Sequence, residues 1–349
     1  MQISTFLSYA GGFKEAAGQV ADYEKAGLDR VWVAEAYGYD SPSFMGYLAA
    51  LTERVRIASG IIPIYTRTPA LIAMTAAGLD ALSGERFELG LGASGPQVVE
   101  GWHGVAYDAP IGRTREIIEI CRKVWARTAP LVHDGRHYHL PLPAEQGTGL
   151  GRPLKIITHP VRGRIPVWVA ALGDKNVALA AEVADGWLPI LFVPERAREV
   201  WGSSLEAGRA ERDPDLGPLQ ISAGGLLAIG DGEDVLAVRE LARPMVALYV
   251  GGMGARGHNF YNDLARRYGY EKEAAEIQDL YLDGRKKEAE ALVPEELLAL
   301  TSLVGPRGWV AERVAALREV GVTDLQVTPI PTGGRTGAGL VEELRAIAC

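Results

Sequence analysis

Short apolar runs alternate with amphipathic ones from one end of this chain to the other, and that rhythm leaves few folds open. Eight of the apolar runs read as strands: Gln2 to Ser8, Arg30 to Ala34, Arg56 to Ile61, Phe87 to Leu91, Val167 to Ala171, Gly186 to Ile190, Ile221 to Ile229 and Asp324 to Val327. Helical patterns follow most of them, over Phe13 to Ala26, Ser43 to Thr52, Thr68 to Leu82, Thr114 to Ala126 and Lys175 to Val183. Repeated strand-helix units build parallel strands covered by helices, and eight such units make a TIM barrel, an α/β fold. Three helix-to-strand joints share one form: Ala26-Gly27-Leu28-Asp29, Ala184-Asp185-Gly186-Trp187 and Val320-Gly321-Val322-Thr323-Asp324. Each puts a glycine where a helix would close in a left-handed residue before the next strand. The recurrence of the joint marks the units as equivalents in one ring.

Two stretches break the alternation. Thr128 to Arg164 is rich in Pro, Gly and His, contains a hairpin-like Val132 to Leu140, and reads as an insertion before strand five. Gly251 to Thr301 opens with Gly251, Gly252, Gly254 and Gly257 and continues into a charged helical run, Asn262 to Glu290, between strands seven and eight. Insertions at a barrel's mouth commonly serve as lids or binding walls. No low-complexity linker separates them from the rest, so residues 1–349 are read as one domain, and 48% apolar content is ample for its core.

A formal net charge of -8 argues against nucleic acid or an anionic membrane as partner and for a small-molecule ligand. Two cysteines, Cys121 and Cys349, make neither a disulfide framework nor a zinc site. Met1 to Leu7 has no basic flank, and no run approaches the roughly 18 apolar residues of a membrane span, so a cytoplasmic protein is expected.

Gly90, Gly92 and Gly95 satisfy the G-x-G-x-x-G spacing after a strand. A dinucleotide fingerprint, however, runs straight into a helix, whereas Pro96, Gly101 and Gly104 predict irregular chain until about Arg113. A glycine-rich loop of this kind suits a flat ring. The segment Arg56 to Pro69 puts Ser59, Gly60 and Ile61 at a strand's C-terminal end with Tyr65, Thr66 and Arg67 beyond, although Ser59-Gly60 also reads as a bulge and Thr68-Pro69 as an ordinary cap. In Val167 to Asn176, the loop Ala171, Leu172, Gly173 and Asp174 opens a helix whose amides could hold a phosphate, or where Asp174 is simply the cap. Glu35 ends strand two beside Tyr37 and Tyr39, where it could work as an acid or base, or pair with an arginine while Asp40 or Ser41 caps the next helix. Six histidines include His103 in the glycine loop, and the alternation of His137 and His139 places both on one strand face, but no cluster completes a metal set. No G-x-S-x-G elbow or P-loop lysine is present.

On these residues the chain resembles the luciferase-like monooxygenase superfamily and, within it, the oxidoreductases that use the deazaflavin coenzyme F420. The matching pieces are Ala26 to Glu35, Ser59-Gly60-Ile61 through Arg67-Thr68-Pro69, Arg86 to Gly92, Ala170-Ala171-Leu172-Gly173 with Ala184-Asp185-Gly186-Trp187, and Gly321 to Asp324. The resemblance implies a ring at the C-terminal mouth, backed by a non-proline cis peptide at Gly60-Ile61 and lined by Gly92, Ala93, Ser94 and Gly95. It implies a phosphate on the amides of Leu172, Gly173 and Asp174, next to Ala171. Deazaflavin-linked sugar-phosphate dehydrogenases have Asp-His where Glu35-Ala36 stands here, so their acid-base assignment does not transfer. Methylenetetrahydromethanopterin reductases are similar over Pro63 to Pro69. Glu35, Tyr37 and His103 stand as candidates for proton handling.

The expected activity is hydride transfer between deazaflavin C5 and a small organic substrate, in a protein whose relatives are commonly dimers. The alternatives are an FMN monooxygenase supplied by a partner reductase and a non-catalytic flavin-binding barrel.

Overall fold

The computed structural model describes residues 1–7 and 12–349. The expected barrel is there: β1 (Gln2–Leu7), β2 (Arg30–Val33), β3 (Arg56–Ser59), β4 (Phe87–Gly92), β5 (Val167–Ala170), β6 (Gly186–Leu188), β7 (Gln220–Ile229) and β8 (Asp324–Pro329). All pairings in this ring are parallel, and it closes because β1 bonds both β2 and β8, with Thr5 opposite Val31 on one side and Val327 on the other. The expected last residue of β1, Ser8, lies outside the described residues. Outside the ring run α1 (Phe13–Lys25), α2 (Ser41–Leu51), α3 (Pro69–Ser83), α4 (Pro96–Gly101), α5 (Pro110–Ala126), α6 (Asp174–Val183) and α7 (Pro194–Ala210). Local chemistry sets these ends. Thr68 Oγ1 accepts from Leu71 N–H with Pro69 in the first turn, and Gly84 closes α3 at φ 64.

Two of the three expected glycine joints behave as predicted, with Gly27 at φ 95 and Gly321 at φ 92. Gly186 does not. It is the first residue of β6, and it must be glycine because a Cβ there would lie 2.1 Å from Cε3 of Trp168.

That indole belongs to a polar barrel centre that periodicity does not reveal. Trp32 and Trp168 meet edge to face at 5.1 Å, and the Arg30 guanidinium lies against both rings. Arg30 donates to Glu88 at 2.9 Å, and its Nη1 is 2.9 Å from Asp324 Oδ1, a contact outside hydrogen-bond alignment and therefore chiefly Coulombic. Glu88 also accepts from Trp168 Nε1 at 2.6 Å, and Asp324 from Ser4 at 2.6 Å and from Ser222. Burial alone would raise the Glu88 carboxyl, but Arg30, Arg56 and these donors outweigh it and hold it below the usual range.

The insertions need three corrections. The helical one starts at Glu233 rather than Gly251, and Gly251-Gly252 lies in a π-helical turn, Leu248–Gly252. The glycines are needed there because the Tyr281 side chain stands where their Cβ atoms would be. The charged run is three helices, Phe260–Arg267, Glu271–Leu282 and Lys286–Ala291, broken at Gly269 and Gly284, both at positive φ. In the first insertion His133 and Asp134 pair antiparallel with Leu140 and His139, while His137 falls in the turn rather than beside His139. Glu116 of α5 anchors that hairpin, accepting from the N–H groups of Arg136, His137 and Tyr138.

Candidate functional site

The residues expected to face a ring sit where β3 and β4 end. β3 stops at Ser59, two residues short of expectation; Gly60–Ile61 is cis, and the chain resumes as a short strand at Ile62–Pro63 paired with β4. Ser59 Oγ donates to Gly90 O at 2.9 Å and accepts from Gly90 N–H at 2.8 Å, so its hydroxyl ties the two strands together. A Cβ on Gly90 would lie 1.9 Å from Ser59 O, and one on Gly92 would lie 2.9 Å from the Ile61 side chain. Two glycines of the G-x-G-x-x-G spacing thus serve strand packing. Gly60 has the same need: a Cβ there would meet the Phe6 ring at 2.9 Å. Gly60, Gly90 and Gly92 thus stand where neighbouring groups leave no room for a Cβ.

The third glycine, Gly95, is the N-cap of α4, which occupies chain expected to be irregular. Pro96 at the first helical position explains it, since its fixed φ starts a helix readily. The dinucleotide reading fails for a different reason than the sequence suggested: β4 is a stave of a closed barrel. Ala93 packs on the core beside Ser94, which has φ 61.

Glu35 is paired with an arginine, as the second of its two readings had it. Its carboxylate binds Arg67 Nη1 at 2.5 Å and Nη2 at 2.9 Å, and accepts from Ser41 N–H at 2.7 Å and Ser41 Oγ at 2.8 Å. Four donors leave it a tether between β2, α2 and the loop after β3; Asp40 caps α2 as the alternative had it. Glu35→Ala should lower stability by about 2 kcal/mol, because Arg67 would stay mostly buried without its partner; chemical denaturation of both proteins would measure it. Tyr37 is exposed, with its ring 6.2 Å from that of Trp102. Next to Trp102, His103 has a buried Nε2 without a hydrogen-bond partner among the described residues.

The phosphate-loop candidates open α6, whose N-cap is Gly173 rather than Asp174. Two buried indoles orient the loop: Trp187 Nε1 donates to Ala171 O at 2.9 Å and Trp201 Nε1 to Leu172 O at 3.1 Å. In a trans peptide the next N–H points opposite to the carbonyl, so the amides of Leu172 and Gly173 face away from the tryptophans. In the first turn of α6 the Asn176 N–H bonds Gly173 O at 2.9 Å, which leaves the N–H groups of Asp174 and Lys175 without intrahelical acceptors. A cavity of about 470 Å³ lies there, lined by Leu172, Gly173, Asp174, Phe260, Asp263, Leu264 and Arg267. Asp174 would repel an anion if unpaired, but its Oδ1 lies 2.9 Å from Arg267 Nη1.

Phe260 and Arg267 escaped the sequence reading. Both come from the helical insertion, and the available signal was Asn259, which caps its helix by accepting from Tyr261 and Asn262 N–H groups. A second cavity, about 520 Å³, lies between α4 and Gly254, Ala255 and His258 of the same insertion. Among the described residues no group of three or more His, Cys, Asp or Glu could hold a metal ion.

Known proteins share this architecture. The family model for luciferase-like monooxygenases matches residues 1–324. A Mycobacterium tuberculosis protein, provisionally named a coenzyme F420-dependent oxidoreductase, is 42% identical over 100% of this chain and 98% of its own. The solved coenzyme F420 dependent tetrahydromethanopterin reductase of Methanopyrus kandleri superimposes with a TM-score of 0.79 at 22% identity, covering 98% of this chain and 96% of that one. An F420-dependent secondary alcohol dehydrogenase, solved with an F420-acetone adduct, gives a TM-score of 0.76 at 18% identity over 100% of this chain and 99% of its own.

Proposed function

From its place in the luciferase-like monooxygenase family, to which the chain belongs, we propose that it is a coenzyme F420-dependent oxidoreductase acting on a small organic substrate. The observation that carries the reading is the closely packed glycine wall of β3 and β4 and the N-terminus of α6 at the C-terminal ends of the barrel strands. Gly60, Ile61 and Gly92 offer a surface that a planar ring can lie on, and a Cβ at Gly92 would collide with Ile61. Leu172, Gly173 and Asp174 offer amides for a phosphate, beneath the Phe260 ring, which a Cβ on Gly173 would meet at 3.3 Å. Ala93, Ser94 and Gly95 border the ring, and Ala171 anchors the phosphate end. Bound there, the deazaflavin supplies a hydride at C5.

The protein's own share is placement, exclusion of water by the helical insertion, and delivery of a proton. With the Glu35 oxygens committed to Arg67 and Ser41, Tyr37 and His103 remain as the proton carriers. The protein is read as cytoplasmic; no helix among the described residues is long and apolar enough to cross a membrane, and Cys121 and Cys349 are free. Exposed Tyr47 and Leu51 on α2 with Leu71 and Met74 on α3 support a homodimer.

Titration with F420 and with FMN, followed by quenching of the seven tryptophans, tests the reading. F420 is expected to bind at least tenfold more tightly. Selective FMN binding would replace it with oxygen-dependent monooxygenation, and binding of neither would overturn it.

A further inference from the structure

Two pairs of tyrosines stand on the loops after β3 and β4 and on the helical insertion. Tyr65, beyond β3, and Tyr107, ahead of α5, have ring centroids 5.3 Å apart, and the Tyr65 hydroxyl is committed to Asp108 O at 2.7 Å. From the insertion, Tyr249 and Tyr261 meet edge to face at 4.6 Å. Burial, followed by Tyr249 and Tyr107, pushes the Tyr261 phenol up, so it stays a neutral donor at ordinary pH. Among the described residues no hydrogen bond occupies that hydroxyl. A partly buried phenol without a partner is a donor in want of an acceptor.

The backbone presenting Tyr261 is held firmly. Asn259 is buried and donates to Tyr249 O at 2.9 Å and to Val250 O at 3.0 Å, while its Oδ1 accepts from Tyr261 N–H at 2.9 Å. Asn262 donates to Val250 O at 3.0 Å and to Ala274 O at 2.7 Å. Two buried amides thus lock the π-helical turn to the start of helix Phe260–Arg267. Along this segment, Gly254, Ala255 and His258 line the cavity against α4, and Phe260 and Arg267 line the one at the phosphate loop. Tyr261 falls in the chain between His258 of the first lining and Asp263 of the second.

The charges nearby are already matched. Arg67, Arg113, Arg256 and Arg267 face Glu35, Asp108, Asp279 and Asp174 respectively. None of these four guanidiniums is unpaired for an anionic substrate, whereas rings and a phenol proton are on offer. We propose that Tyr261 is the hydrogen-bond donor that orients an uncharged, carbonyl-bearing substrate, its proton on the carbonyl oxygen and the rings of Tyr249 and Tyr107 against the substrate's apolar body. The proposal rests on the F420 reading and names the substrate class of that same site.

The test uses full-length protein saturated with oxidised F420, with calorimetric titration of acetophenone, cyclohexanone and hexanal as neutral carbonyls and benzoate as an anion of similar size to the first. The wild type should bind at least one neutral carbonyl more tightly than benzoate. Tyr261→Phe should weaken that binding about five- to tenfold, the size of one neutral hydrogen bond, while F420 affinity and Tm stay as in the wild type. Carbonyl affinity unchanged in Tyr261→Phe, a preference for benzoate, or no binding of any carbonyl would overturn the proposal while F420 still binds. Failure of the wild type to bind F420 would remove the functional reading and this proposal together.

Discussion

Arg30→Met should lower the unfolding free energy by about 3 to 5 kcal/mol, the range seen when one partner of a buried ion pair is removed. Arg30 has no solvent exposure, and its guanidinium is the shared counter-charge of Glu88 and Asp324. Methionine approximates the volume, so the loss would come from charge: two buried carboxylates would keep only Arg56, at 3.3 Å from Glu88, and their hydroxyl and indole donors. The sign of the pH dependence follows from the depressed Glu88 carboxyl. In the wild type its contribution is present above the unfolded value of about 4.3 and is lost as pH falls through the lower folded value. In Arg30→Met burial prevails and the folded value rises, so protonation relieves the variant first. The stability gap should therefore narrow as pH falls from 7 to 4. Urea midpoints at several pH values would show this, and a gap constant with pH would mean that the loss is packing and not charge.

Gly90→Ala should be as damaging, at about 3 kcal/mol or more, for a purely steric reason. The added carbon would lie 1.9 Å from the Ser59 carbonyl oxygen and 3.0 Å from its carbonyl carbon, and a backbone obstacle has no rotamer to turn away. β3 and β4 would have to separate, breaking both hydrogen bonds that Ser59 Oγ makes to Gly90. The wall proposed to back the ring would move with them, so on that proposal cofactor affinity should fall too. Gly46→Ala is the matched control: it lies within α2 with nothing within 4 Å of an added Cβ, and should stabilise by about 0.5 to 1 kcal/mol. Thermal melts of the two variants decide the matter, and a Gly90→Ala protein as stable as the wild type would refute the packing role given to that glycine.

The two variants also mark where sequence reading stops. All eight barrel strands, a helix after each of the first five and the glycine turns at Gly27 and Gly321 were legible, because strand alternation, helical periodicity and capping are relations among residues a few positions apart. The grouping of Ser59-Gly60-Ile61, Gly92 to Gly95 and Leu172-Gly173-Asp174 at one mouth followed as well, since in such a barrel every loop after a strand opens on the same face. What each residue touches there was settled by neighbours far away in the chain. Gly90 needs to be glycine because of Ser59, 31 positions earlier; Glu35 is a tether because of Arg67, 32 positions later; Asp174 is neutralised by Arg267, 93 positions later. The polar centre of Arg30, Glu88 and Asp324, and the presentation of Phe260 and Tyr261 over the mouth, are of the same kind. Local pattern by itself determined the barrel and the face on which the candidate residues lie. Only the tertiary structure decided which glycines serve packing, which carboxylates are occupied and which phenol is left with a proton to offer, because those depend on distances that close when the ring does.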